Sequence, residues 1–455
     1  MKRSVLCMII TVSALLMALL TGCAEKTETF SSIVEAEIFA DVPLMTGEEI
    51  NFSEVKDVGD GNYLIWAYDT TKTDYENYLT VLEQNEFIKY VDNGEAFEGF
   101  VYTSHYLKEN FLISVTHYPK MEETMITVCE EAELSERLIY SDDYVKGNKE
   151  EAKTTLTMPE LWNAGSSFVF QLKNGHFIVN DGGYEEDLPY LLDYMESLVP
   201  EGEKPVVEAW IVSHSHSDHM GVFVAFSDNK KWCDRIYLDE VYYNEASEEA
   251  HDIAGEMAKA SALTFYTKTV PSMFKTSNGG TPKVIRLRQG ERYYYSDITM
   301  DVVYTQDLLS YDEWKTWNAT STVLMYTVEG QKILLTADAD WECQMLMLEI
   351  YDDSYFDMAV YQAPHHGGNV YNEFSSHLKA DTVLYPTYDV ERQYAGMLNR
   401  VVQNSYLKSK SGEVLGWVEG GVVLTFPYEV GSYKRLPLTE WKYTKKEAQR
   451  MQWKK

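Results

Sequence analysis

The sequence predicts an α/β protein in two folded parts, a small α+β domain over residues 38–132 and a larger α/β domain over 156–433. Three observations lead there. The chain has 455 residues, more than one hydrophobic core ordinarily organises. Its 45 % hydrophobic and 13 % aromatic content, with 34 Tyr, supports sizeable cores and excludes a wholly disordered chain. Several apolar runs of strand length, some followed by helical segments, end abruptly in titratable residues. The 72 acidic and 39 basic side chains give a net charge of −33, which opposes stable binding of duplex nucleic acid.

Residues 1–22 read as a lipoprotein signal peptide. Lys2 and Arg3 precede a mostly apolar run over 5–20, the basic-then-apolar order of a secretory signal, too short for a comfortable membrane span. The run ends in Leu20-Thr21-Gly22-Cys23, which resembles the bacterial lipobox, in which cleavage before the Cys leaves a lipid-bearing thiol. Cys23 is therefore the expected lipidation site, and the protein is expected on the extracytoplasmic face of a bacterial cell membrane, held by its acyl chains. Without the signal, 37 basic and 72 acidic residues leave a charge of −35. Of the five Cys, Cys129, Cys233 and Cys343 then remain, widely spaced and without a CxxC pair, so neither a disulfide framework nor a cysteine zinc site is indicated.

A polar tether over 23–37 leads into the small domain. Tyr63-Leu64-Ile65-Trp66-Ala67-Tyr68 reads as a strand, Asp74 as the cap of a helix through about residue 83, and Phe100-Val101-Tyr102-Thr103 and Leu112-Ile113-Ser114-Val115 as later strands. His105 and His117 lie here without metal-ligand spacing and read as ordinary surface or core histidines. The domain's role is not legible. Residues 133–155, with Lys146-Gly147-Asn148-Lys149-Glu150-Glu151, read as a charged linker. The tail over 434–455 carries eight basic residues against Glu440 and Glu447; a solvated helix end is preferred there to contact with anionic lipid or wall polymer.

Chemistry concentrates in the larger domain. Val206-Val207-Glu208-Ala209-Trp210-Ile211-Val212 reads as a buried strand that stops at Ser213-His214-Ser215-His216-Ser217-Asp218-His219-Met220-Gly221. Alternation places His214 and His216 on one side, while a turn at Ser217 swings Asp218 and His219 toward an adjacent position. Imidazole suits zinc and a carboxylate suits a second cation, so the string divides into two neighbouring metal sites. Lys332-Ile333-Leu334-Leu335 runs into Thr336-Ala337-Asp338, and Met358-Ala359-Val360-Tyr361 into Gln362-Ala363-Pro364-His365-His366-Gly367-Gly368. Phe177-Ile178-Val179-Asn180 likewise ends in Asp181-Gly182-Gly183, ahead of a helix over 188–198.

In these segments, together with Asn318-Ala319-Thr320-Ser321, the sequence resembles the metallo-β-lactamase superfamily, and within it the ComEC-like hydrolases. The resemblance covers roughly 270 residues in family order. It implies an αββα sandwich with a metal site at one edge. It implies two divalent metal ions, zinc or manganese, the first held by His214 and His216, the second by Asp218 and His219, with Asp338 bridging. Of the paired histidines, His366 is the favoured second-site ligand and His365 the substrate contact or proton donor, with the reverse order left open. Asp181 and Asn318 would act behind the ligands, and Asp218, Asp338 and His365 would carry the catalysis. The chain departs from the family pattern where a further His often precedes the bridging Asp. His251 stands in the apparent helix Glu248-Glu249-Ala250-His251-Asp252-Ile253 and reads as an exposed helical residue, while Asn318 takes the expected position. Ala337 replaces the usual Gly, and Gly368 a common Ser.

The function expected is metal-dependent hydrolysis of a phosphodiester or related ester, with a small-molecule or envelope-polymer substrate. A ComEC-like nuclease is the runner-up, a lactamase or lactonase the third, and a non-catalytic envelope-binding lipoprotein with a degenerate hydrolase domain the reading from a different class.

Overall fold

The computed structural model describes residues 28–30, 37–47, 50–59, 61–94, 96–130, 133–244, 269–309, 316–387, 411–417 and 419–440. The signal peptide, Cys23, His251 and the tail beyond residue 440 lie outside the described residues. Among those described, no helix is long and apolar enough to cross a membrane.

The small domain is an antiparallel sheet with one helix on it. Its strands are β1 (Asn51–Phe52), β2 (Lys56–Gly59), β3 (Asn62–Tyr68), β4 (Ile88–Asp92), β5 (Tyr102–Lys108), β6 (Phe111–Tyr118) and β7 (Glu123–Cys129), ordered β1-β3-β7-β6-β5-β4 with β2 beside β3. Helix α1 (Lys72–Gln84) starts earlier than a cap at Asp74 would allow. Thr71 is the N-cap and Asp74 the third helical residue: Thr71 Oγ1 accepts from Asp74 N at 3.2 Å, and the Asp74 carboxylate accepts from Thr71 N at 2.9 Å. This reciprocal capping box satisfies two amides that one capping Asp would not. Tyr75, Tyr78, Leu79 and Leu82 of α1 pack on Ile65, Ile113, Val115 and Ile126. The tether is partly folded, since Phe30 is buried against Phe39 and Phe52 at ring distances of 5.5 and 5.2 Å.

His105 and His117 are both buried. Burial lowers the His117 pKa to about 4, so the unfolded chain binds the extra proton first. The stability tied to His117 is full above pH 6.5 and is lost as pH falls through 4, about 3 kcal/mol in total. Urea unfolding of the small domain's signals should therefore lose about that much more between pH 7 and 4 in wild type than in His117→Gln; equal losses would refute the assignment.

The larger domain is the αββα sandwich. One sheet contains β8 (Thr155–Met158), β9 (Ser167–Gln171), β10 (Phe177–Asp181), β11 (Val206–Ile211), β12 (Tyr237–Tyr243) and β13 (Lys283–Arg286), closed at its far edge by β21 (Val422–Thr425) and β22 (Lys434–Arg435). The other contains β14 (Arg292–Tyr294), β15 (Ile298–Tyr304), β16 (Val323–Val328), β17 (Gln331–Leu335), β18 (Asp357–Gln362), β19 (Lys379–Leu384) and β20 (Glu413–Leu415). Strands β10 to β13 run parallel, as do β17 to β20. Their two-sided burial explains why they read as near-continuous apolar runs. Phe168, Ile178, Ala209 and Ile211 meet Met300, Leu324, Ile333 and Val360 between the sheets. Helices α2 (Leu188–Ser197) and α3 (Ser217–Asp228) cover the first sheet's outer face.

The outer face of the second sheet is shared. Helix α4 (Trp341–Ile350) buries Cys343, Met347 and Ile350 there, and the small domain adds Leu64, Tyr118 and Met125 to the same core. The segment read as a linker is also docked. Leu138 is buried, Arg137 pairs with Glu208 at 3.0 Å, and Tyr90 donates to the Ser135 carbonyl at 3.2 Å. The expected basic tail opens as a strand, because Lys434 and Arg435 pair with Val423 and Val422. Backbone pairing of this kind leaves no mark on composition.

Candidate metal centre

The carboxyl ends of four parallel strands converge, β10 and β11 from one sheet, β17 and β18 from the other. This is where open α/β sheets place ligands, because loops leaving those ends diverge and open a crevice. Thr322 N donates to the Ser213 carbonyl at 3.0 Å, tying the sheets together at the crevice floor. Helix α3 starts at Ser217 with His216 at its N-cap, so Asp218 and His219 project from its first turn, the His219 ring 4.1 Å from that of His214.

Two donor sets result. Asp218, His219, Asp338 and His366 bring one donor atom each within 4.8 Å of one another, and so do His214, His216 and Asp338. Asp338 is common to both. His219 Nε2 lies 3.1 Å and His366 Nε2 3.6 Å from Asp338 Oδ1, while His366 Nε2 is 3.1 Å from Asp218 Oδ2. In the set of His214, His216 and Asp338, His214 Nε2 is 3.0 Å from His216 Nδ1.

The backing groups decide which nitrogen each ring presents. His219 Nδ1–H donates to Asp181 Oδ2 at 2.8 Å, and Ser213 gives Asp181 both its amide, 2.8 Å, and its hydroxyl, 2.9 Å. With its proton committed to Asp181, Ser213 Oγ accepts from His214 Nδ1–H at 3.1 Å. Both rings therefore turn Nε2 into the crevice, the nitrogen a cation would take in place of a proton. Asp181 sits at φ 58°, followed by Gly182, where a Cβ would stand 2.2 Å from Val222 of α3. Helix α3 can thus lie close enough for His219 to reach Asp181.

Charge is balanced unusually. Burial, then the neighbouring His219 and His216, hold His214 well below the ordinary imidazole range and keep it neutral. Burial opposes charge on His219 as well, but Asp338, Asp181 and Asp218 outweigh it and hold its pKa well above normal. Burial likewise opposes ionisation of Asp338 and Asp218, yet the surrounding imidazoles keep both pKa values low. Carboxylates this concentrated call for positive charge. His219 Nε2 and Asp338 Oδ1 are both buried and face each other 3.1 Å apart, with no other hydrogen-bond partner for either atom. A cation coordinated by both atoms satisfies them, and the nitrogen and oxygen donors suit a divalent metal of the zinc type. The residues fit the group.

Asp338 and the paired histidines follow strained backbone. Ala337, His365 and His366 have φ of 48°, 50° and 53°, a region costly for non-glycine residues. Gln362 holds the turn: its Oε1 accepts from Thr336 N at 2.8 Å, and its Nε2 donates to the carbonyls of Ala337, 2.8 Å, and Ala363, 3.0 Å. Of the pair, His366 joins Asp218, His219 and Asp338 and is buried, whereas the His365 side chain is 34 % exposed with Nε2 3.7 Å from Asp338 Oδ2. Asn318 contacts His365, not a ring of either donor set. Ser213 and Gln362 escaped sequence reasoning. A polar Gln closing an apolar strand beside Pro364-His365-His366 was a usable signal for the second; nothing local distinguishes Ser213 from the serines at 215 and 217.

No family model matches this chain, and no curated protein matches it. Among solved structures it is similar to a metallo-β-lactamase of Cronobacter sakazakii with a HARLDQ motif (18 % identity, 38 % of this chain and 56 % of that one, TM-score 0.23). A second structure named as a metallo-β-lactamase, MIM-2, is similar too (12 % identity, 59 % and 94 % coverage, TM-score 0.25). So is zinc-bound PqqB of Methylobacterium extorquens (8 % identity, 53 % and 74 % coverage, TM-score 0.28). The chain spans just over half the length of the Cronobacter protein.

Proposed function

We propose that this protein is a lipid-anchored, extracytoplasmic hydrolase that uses two divalent metal ions, zinc or manganese, to cleave a phosphodiester or related ester with water. The observation that carries this reading is the pair of donor sets sharing Asp338. When bound, the cations supply Lewis-acid polarisation and acidify water at neutral pH. His214, His216 and Asp338 would hold one, and Asp218, His219, His366 and Asp338 the other. Asp181 and Ser213 orient the rings, and His365, the exposed member of the pair, contacts the substrate. A thiolate nucleophile is disfavoured: burial pushes the Cys233 thiol up to about 11 and the Cys343 thiol up to about 12, far above where a reactive cysteine titrates. The extracytoplasmic assignment rests on residues 1–23 and leads to phosphodiesters of the envelope as substrates.

The test is metal content together with a substrate panel. Purified protein reconstituted with zinc or manganese should hold two ions per chain and turn over a generic phosphodiester in preference to a β-lactam, a lactone or DNA. Preference for DNA would establish the nuclease instead. Absence of stoichiometric metal, or turnover unchanged in His216→Ala, would sink the hydrolase reading and leave the envelope-binding one.

A further inference from the structure

We propose that residues 441–455 dock into an apolar groove on the outer face of the sandwich, between α2 and the edge strands β8, β21 and β22, and that this docking braces the loops behind Asp181 and Asp218. The occupant is the chain's own basic, aromatic segment, not a lipid surface or a wall polymer. The groove and its occupant are independent of catalysis; only the bracing rests on the two donor sets.

Strand alternation creates the groove. Leu156, Met158, Val422 and Leu424 face the core between the sheets, so Thr155, Val423 and Thr425 face outward, where they line a cavity of about 590 Å³. Helix α2 supplies the facing wall with Tyr190, Tyr194 and Leu198, and Leu436 closes the strand side. All four are only partly buried. Glu160, Asp187 and Asp193 add three carboxylates to the lining, against the single ammonium of Lys434.

Three observations choose the occupant. First, the chain already runs along the groove where the described residues end. Pro437 and Thr439 line it beside Leu436, with Leu436 N donating to the Gly421 carbonyl at 2.9 Å and Thr439 N to the Glu160 carboxylate at 2.7 Å. Successive Cα atoms are about 3.8 Å apart, which keeps the Trp441 Cα within about 8 Å of that of Thr439. This tether gives residues 441–455 an advantage in effective concentration over any free partner. Second, Trp441 and Trp453 offer large apolar bodies, the side chains that gain most from an apolar wall. Third, the charges are complementary. Lys442, Lys445, Lys446, Arg450, Lys454 and Lys455 stand against Glu447 alone, in a chain that is otherwise strongly acidic.

The groove backs directly on the metal centre. Asp187 and Leu161, both in its lining, pack against Gly183, where a Cβ would stand 2.5 Å from Asp187 Oδ2 and 2.9 Å from Leu161. Asp187 also accepts from Trp162 N at 2.6 Å and from Tyr184 N at 2.8 Å. The segment that starts at Leu161 reaches the second donor set, because Ser166 N donates to the Asp218 carbonyl at 2.9 Å and a Cβ on Gly165 would stand 2.8 Å from that same oxygen. Filling the groove therefore holds in place the two loops against which Asp181 and Asp218 rest.

The decisive measurement is photocross-linking of the full chain carrying p-benzoylphenylalanine in place of Ser197, an exposed residue of the groove's α2 wall. Light should join it to peptides from residues 441–455 of the same chain, at a yield independent of protein concentration. Cross-links to other segments only, or between chains, overturn the proposal, and so does loss of the cross-link on adding phosphatidylglycerol vesicles, which would assign the segment to an anionic membrane. A second measurement uses protein ending at Glu440 and a fluorescent peptide of residues 441–455. The shortened protein should bind the peptide at least about tenfold more tightly than the full chain, whose groove is filled. Trp441→Ala in the peptide should weaken that binding about tenfold, and Asp193→Lys in the protein about threefold; equal binding to both protein forms refutes the docking. For the bracing, zinc should pass to a chelator about fivefold faster from the shortened protein, with the peptide restoring the slower rate, and equal rates refute it. Protein that holds no zinc would defeat the hydrolase reading, while the docking still stands or falls by the cross-link.

Discussion

Asp338→Ala should strip both cations at once and lower hydrolysis at least about a thousandfold, a loss of about 4 kcal/mol or more of transition-state stabilisation. The reason is its place in both donor sets. His216→Ala removes a donor from one set and leaves Asp218, His219, Asp338 and His366 together, so that variant should retain one tightly held ion. His366→Ala should do the converse. Inductively coupled plasma mass spectrometry on the three variants after equal dialysis gives the pattern directly: near zero, one and one ions per chain against two in wild type. Two ions retained by Asp338→Ala would show that the shared carboxylate is not what joins the sets.

The largest purely structural effect is expected from Glu291→Ala, about 4 kcal/mol of destabilisation. Glu291 is fully buried between the small domain and the sandwich. It accepts from His105 Nε2 of the small domain at 3.1 Å, from Arg288 N at 2.8 Å and from Tyr293 OH at 2.6 Å, and it lies 3.9 Å from the Arg288 guanidinium. Arg288 in turn donates to Asn62 Oδ1 of β3 at 2.8 Å. Truncation leaves a buried cation without its carboxylate and several donors without an acceptor, the situation in which breaking a buried pair costs about 3–5 kcal/mol. Glu291→Gln keeps one acceptor and should cost clearly less. Urea unfolding read at both domains is the measurement. The interface signals should fail first in Glu291→Ala, and a midpoint equal to wild type would show that the pair is energetically idle.

Much of the candidate site was legible because its residues are local to strand ends. A buried strand announces itself by an apolar run, and polar residues that interrupt it abruptly mark its end; thus His214, His216, Asp218 and His219 after β11, Asp338 after β17 and His366 after β18 could be read as one class of feature. The division of the first string into two positions follows from the helix that starts at Ser217. Less legible were residues whose role is to hold others. Ser213 matters because its hydroxyl stands between Asp181 and His214, and Gln362 because it bonds both sides of a strained turn; neither chemistry differs from that of an ordinary polar residue. The docking of residues 133–155 and the strand at Lys434–Arg435 were hidden for a related reason. Charged composition suggests solvent, but Arg137 finds Glu208 and the main chain of β22 finds β21.

The sequence by itself determined the donor inventory, the strand each donor follows, and the α/β class with a small domain ahead of the larger one, since periodicity and side-chain chemistry are properties of short stretches. Only the tertiary structure decided that Asp338 stands in both donor sets, that His366 turns inward while His365 stays partly exposed beside Asn318, and that the small domain is joined to the sandwich through His105 and Glu291. Each of these depends on distances between residues far apart along the chain, and such distances are set by how two sheets pack.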